Sequence, residues 1–67
     1  MLDRYWERLL AGTPGSYVFD ARSYEMKAVF KADLNRARTT CAQHGWHFYT
    51  IDDPRLLQPQ AFFVQID

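Results

Sequence analysis

One cysteine in 67 residues leaves no second thiol for an internal disulfide. Small secreted domains usually carry several bridges, so Cys41 alone points to a reducing cytosol as the expected location. Long apolar runs are also missing. No stretch approaches the ~18 consecutive apolar residues of a membrane span. The opening "MLDRYWERLLAG" carries Asp3, Arg4, Glu7 and Arg8 where a signal peptide needs an uncharged segment, so neither export nor membrane spanning is expected. Net charge is absent as well. Eight basic and eight acidic residues sum to +0, which argues against the strongly basic footprint of an ordinary nucleic-acid binder. Residues 16–47 hold Arg22, Lys27, Lys31, Arg36 and Arg38 against Asp20, Glu25 and Asp33. Residues 48–67 hold only Arg55 against Asp52, Asp53 and Asp67. That imbalance is too small to select a partner and reads as a solvated mixed surface.

Catalytic signatures are equally scarce. No glycine-rich phosphate loop, G-x-S-x-G or H-E-x-x-H occurs. Asp52 and Asp53, side by side before Pro54, read as turn residues and not as a paired acid and base. Cys41, His44 and His47 form a C-x2-H-x2-H cluster whose donor set would suit zinc. Gly45 reverses the chain between the two histidines, however, so their directions are set by different elements. The simpler reading is a buried thiol, a histidine at a helix C-terminus and a solvent-facing strand histidine. A Cys41–His nucleophilic pair fails because a thiol on the inner stripe of a helix is not open to substrate. The chain is read as non-enzymatic, without metal or cofactor.

A chain of this length is one domain, residues 1–67, able to bury only ~60% of its unfolded surface. Leu2, Trp6, Leu9 and Leu10 fall near the helical period, and "AGTPG" supplies Gly12 and Pro14 as a stop. "SYVFDAR", from Ser16 to Arg22, alternates as a half-buried strand, and "MKAVFKA", from Met26 to Ala32, repeats the alternation. The three residues "SYE" between them predict a hairpin. Asp33 stands where an N-cap belongs, with Leu34, Ala37 and Cys41 at helical spacing behind it. Gly45 followed by Trp46 predicts a Schellman end that folds Trp46 back toward Cys41. "WHFYTI" and "AFFVQI" supply two more strands, separated by a polar loop with Pro54 and Pro59. The expected architecture is α+β, in the order α-β-β-α-β-β. Its antiparallel sheet has four strands in the order 2-1-3-4, with the central helix on one face.

Aromatic residues, by contrast, are abundant: Trp 2, Tyr 4 and Phe 5, or 16% of the chain. One helix over one sheet face covers about half of them, with Phe19, Phe30 and Phe48 expected inside by strand parity. Either the N-terminal helix covers part of the second face with Trp6, Leu9 and Leu10, or rings remain exposed for a partner. The contact is expected at the outer-face rings Tyr17 and Tyr49, at the hairpin-tip Tyr24 with Arg22, and at the helix arginines Arg36 and Arg38. "AFFVQI", read as an edge strand over residues 61–66, offers a homodimer contact. Single-stranded nucleic acid, with rings stacking bases beside Lys27, Lys31, Arg36 and Arg38, is the competing partner. A structural adaptor acting as a homo-oligomer is the third alternative.

The run "YVFDARSYEMKAVFKADLNRARTTCAQHGWHFYTIDD", residues 17–53, resembles in its hairpin, helix and strand order several small phage proteins that block host machinery. These include phage-encoded inhibitors of bacterial RNA polymerase and some anti-CRISPR proteins. The resemblance rests on element order and on the A-D-x-x-x-A-R helix start from Ala32 to Arg38, features that unrelated secretion-apparatus domains share. It carries over no functional residue. It implies a small, non-catalytic protein-binding module, encoded by a phage or mobile element, that inhibits a larger host protein or nucleoprotein complex by occluding it.

Overall fold

The computed structural model of the protein describes residues 2–67, and the side chains of residues 3–67. Its elements are α1 (Leu2–Leu10), β1 (Gly15–Asp20), a single 3-10 turn (Ala21–Ser23), α2 (Lys27–His44), β2 (His47–Ile51) and β3 (Ala61–Ile66). In α1, Trp6 and Leu9 turn inward, and the helix ends as its glycine dictates. Gly12 sits at φ 75 while Thr13 N–H donates to Arg8 C=O across it.

The expected hairpin between residues 16 and 32 does not exist. After Asp20 the chain makes the 3-10 turn and then enters α2, whose first six residues are the segment read as a second strand. Alternation over so short a run is a weak signal, since of its apolar residues only Phe30 is buried, and composition decides the element. Lys27, Ala28, Lys31 and Ala32 are good helix formers, and Phe30 continues the stripe Phe30, Leu34, Ala37, Cys41 that the rest of the helix buries. Extending an existing helix adds a hydrogen bond per residue, whereas a strand there would need its own neighbour. Asp33 is therefore not an N-cap. It lies inside α2, where its carboxylate accepts from Trp6 Nε1 at 3.2 Å and from Tyr24 OH at 2.7 Å, tying α1, the 3-10 segment and α2 together. The C-terminus follows expectation: Gly45 is left-handed at φ 72 and Trp46 N–H donates to Cys41 C=O at 3.1 Å.

The sheet has three strands, not four, in the order β1-β3-β2, with both pairings antiparallel. β1 and β2 are thus parallel to each other, linked by the α2 crossover and separated by the last strand. The segment 61–66, expected at an edge, is the centre of the sheet. Its main chain is paired on both sides and cannot recruit a second copy. Ala61 to Val64 are apolar on both faces of this central strand, with Phe62 and Val64 turned to the helices and Ala61 and Phe63 turned away.

Both helices lie on one face. Phe62 is the hub of the core they enclose, stacked on Phe19 at 4.6 Å between centroids and flanked by Phe30 at 5.5 Å and Phe48 at 5.9 Å. Trp6 reaches Phe19 from α1 at 5.1 Å, so α1 shares the face of α2 and leaves the other side of the sheet without a helix. Of the eleven rings, Tyr49 is the one classed as exposed, so the core and its margins absorb more rings than one helix alone would allow. Among the described residues, no helix is long and apolar enough to cross a membrane.

Candidate functional site

Strand alternation decides what the bare face presents. Tyr17, Phe19, Phe48, Thr50, Phe62, Val64 and Ile66 turn toward the helices. Ser16, Val18 and Asp20 of β1, Ala61, Phe63 and Gln65 of β3, and His47, Tyr49 and Ile51 of β2 turn away. The register aligns these nine side chains in three rows. Val18, Phe63 and Tyr49 form the middle row, and Tyr49 stacks on Phe63 at 4.9 Å. Val18 is 54% exposed, Tyr49 47% and Ile51 46%, although Val and Ile are residues that folding ordinarily hides.

No lysine or arginine stands among the nine. Charge is confined to the rim and is paired there. Arg22 holds Asp20 through two nitrogens, the closer at 2.7 Å, and this guanidinium keeps the Asp20 carboxyl below its ordinary range. His47 Nε2 lies 3.1 Å from Asp67 Oδ2, with its ring beside Tyr49 at 6.3 Å. The face is an apolar strip bordered by the Arg22–Asp20 ion pair and the His47–Asp67 contact.

A concavity lies between the start of α2 and the loop after β2. Tyr24, Lys27, Lys31, Arg55, Leu56 and Leu57 contribute to its walls. Arg55 is bound to Asp53 at 2.8 Å, which leaves Lys27 and Lys31 as the cations without a recorded ion pair there among the described residues.

The six residues expected to form one contact are dispersed. Tyr17 is buried at 2% exposure, packs against Tyr5 and donates its hydroxyl to Thr13 C=O, so it is not an outer-face ring. It shares the parity of Phe19, and alternation requires both to be inside. Tyr24 is half-buried against Phe30, and burial together with the Asp33 carboxylate pushes its phenol well above the ordinary value. Arg36 lies over the Trp6 ring at 4.3 Å and Arg38 over Phe48 at 5.6 Å, both on the helical side. Only Tyr49 and, at the rim, Arg22 belong to the open face. Sequence reasoning passed over Val18, Ile51 and Phe63. For Val18 the signal was available in its parity opposite Phe19.

Cys41, His44 and His47 do not converge. Cys41 is buried in the core, where desolvation raises its thiol pKa. His44 Nδ1 lies 2.9 Å from Thr40 C=O while its ring stacks on Trp46 at 4.3 Å, and His47 faces Asp67. Among the described residues no three potential metal-ligating side chains come together.

Comparison of the chain with protein-family models, curated proteins and solved structures finds no match. Of the hairpin on which the element-order resemblance over residues 17–53 rests, the first strand is β1, and residues 27–32 of the expected second strand open α2.

Proposed function

We propose that the chain is a small, non-catalytic protein-binding module that occludes a surface of a larger protein through its open sheet face. The observation that carries the reading is the uncovered Val18–Phe63–Tyr49 row with Ile51 beside it. The occupant it fits is a protein surface apolar at its centre. Covering side chains of this size contributes ~1.5–3 kcal/mol each when burial is complete, and an aromatic flanked by β-branched residues is a common anchor composition.

Nucleic acid fits this face less well. Base stacking needs phosphate-binding cations beside the rings. Here Arg36 and Arg38 lie across the sheet from Tyr49, over Trp6 and Phe48, and Arg22, the arginine at the rim of the open face, is bound to Asp20.

The test compares complexes captured from a bacterial lysate by the tagged chain and by Val18→Glu and Tyr49→Glu variants. Both positions are exposed, so each variant keeps the far-UV circular dichroism of the parent. A partner protein held by the parent and weakened roughly tenfold or more by each variant supports the reading. A Lys27→Ala/Lys31→Ala double variant retains that partner. A complex indifferent to Val18→Glu, or tight binding to single-stranded nucleic acid that falls steeply with salt, overturns it.

A further inference from the structure

The two edges of the sheet are finished differently. Along β1, Ala21 N–H donates to Gln60 C=O at 2.9 Å, so residues of the parity of Ala21 aim their main-chain groups at β3 and those of Ser16 and Val18 aim outward. One outward donor and one outward acceptor of this edge are occupied. Tyr5 hydroxyl accepts from Val18 N–H at 2.9 Å and donates to Ser16 C=O at 3.4 Å, standing where a neighbouring strand would stand. Along β2, Ile51 C=O accepts from Gln60 N–H at 2.8 Å, which fixes His47, Tyr49 and Ile51 as the residues facing β3. Phe48 and Thr50 must then direct N–H and C=O away from the sheet. Among the described residues no hydrogen bond outside the ladder reaches either main chain.

We infer that two copies of the chain pair antiparallel through β2, forming a continuous six-stranded sheet about a two-fold axis at Tyr49. The argument is one of self-complementarity. With Tyr49 opposite its own symmetry mate, Phe48 stands opposite Thr50 of the second copy and Thr50 opposite Phe48. All four open donors and all four open acceptors of the two strands fall into two hydrogen-bonded pairs, giving four bonds. Shifting the register by one residue in either copy turns ladder-facing groups toward the partner and loses them. Tyr49 then occupies a non-hydrogen-bonded site, where opposed Cα atoms approach to ~4.5 Å and aromatic pairs interact best. The zero net charge of the chain sets no long-range repulsion against a second copy.

Five residues of edge bury much less than the ~800 Å² per partner of a standard stable interface, so the dimer dissociates on dilution. Pairing does not depend on the docking function proposed above. It would place two apolar rows side by side on one surface, and Val18 lies two strands away from the new junction.

Sedimentation velocity across a wide concentration range reads the association directly. The expected result is a shift from one chain toward two as concentration rises. Thr50→Pro removes an outward donor while sparing the β2–β3 ladder, as proline on an edge strand does, and weakens the dimer roughly tenfold or more. Tyr49→Lys, which sets two like charges face to face, does the same. The register is read by cysteine placement under an added mild oxidant that takes up the two electrons and protons of each new disulfide. Tyr49→Cys links to itself, at a separation a disulfide spans. Ile51→Cys alone does not, whereas a mixture of His47→Cys and Ile51→Cys chains does. Cys41, buried at 1% exposure, does not compete. A single-chain mass at every concentration overturns the inference, as does a dimer that survives Thr50→Pro and fails to cross-link through residue 49. Loss of the dimer in Thr50→Pro with partner capture intact separates this inference from the docking reading. Loss of capture in Val18→Glu with the dimer intact separates them in the other direction.

Discussion

Asp33 shows how one side chain can join three segments. Its Oδ2 accepts from both Trp6 and Tyr24, so a single carboxylate oxygen fixes the angle at which α1 and the 3-10 turn meet α2. Hydrogen bonds to a charged acceptor are stronger than neutral ones, and Tyr24→Phe is expected to cost about 1–2 kcal/mol at neutral pH, read from the denaturant midpoint. The same pair predicts an alkaline limit. The folded state holds the Tyr24 proton more tightly than the unfolded chain, whose phenol titrates near 10.0. The stabilisation is therefore complete below pH 10 and falls as pH rises beyond it, because the unfolded chain ionises first. A stability–pH curve should drop above pH 10 in the parent and drop less steeply in Tyr24→Phe. Equal slopes would exclude the contact as the cause.

At the level of elements, the two helix ends and the strand ends show where local rules suffice. Gly12 and Gly45, followed by the 6→1 hydrogen bonds of Thr13 and Trp46, were legible because the left-handed residue and its partner lie within a few positions of each other. β2 and β3 were legible for a similar reason. The boundary at Met26 was not. Seven alternating residues read as a strand in isolation, and what settles them is that Phe30 joins the buried stripe of Leu34, Ala37 and Cys41. The Tyr5 hydroxyl at the β1 edge is a contact between residues eleven and thirteen positions apart that no periodicity announces. Tyr5→Phe keeps the ring packing on Tyr17 and Phe19 and removes only the hydroxyl. It is expected to cost about 0.5–1.5 kcal/mol and, by freeing the Val18 N–H and Ser16 C=O, to promote strand-edge aggregation. Chemical denaturation and light scattering check the two effects separately.

For the whole molecule, the decisive fact is the place of β3. Strand order was out of reach from sequence because pairing joins segments more than forty residues apart, Gly15 with Ile66 and Ser16 with Gln65. Two apolar faces in "AFFVQI" were visible, yet they distinguish a central strand from an edge strand only once the number of strands is known. The open face was legible as a surplus of apolar side chains. Its composition was not, because the rings expected there went into the core around Phe62 while Val18 and Ile51 stayed outside. A contrast of two proline substitutions tests the topology. Val64→Pro removes a donor directed at β1 in the middle of the sheet and is expected to cost about 3 kcal/mol or more, enough to abolish the folded far-UV spectrum of so small a domain. Thr50→Pro at the β2 edge should leave that spectrum in place. Similar damage from both would mean that β3 is not central.

A keystone laid last has a consequence for biosynthesis. β1 and β2 leave the ribosome with no strand to receive them, and the helices have only half a platform to cover. Closing the sheet therefore joins segments more than forty residues apart, at a larger cost in chain entropy than a local pairing. Until residue 66 emerges, the nascent chain must hold its aromatic interior open to water.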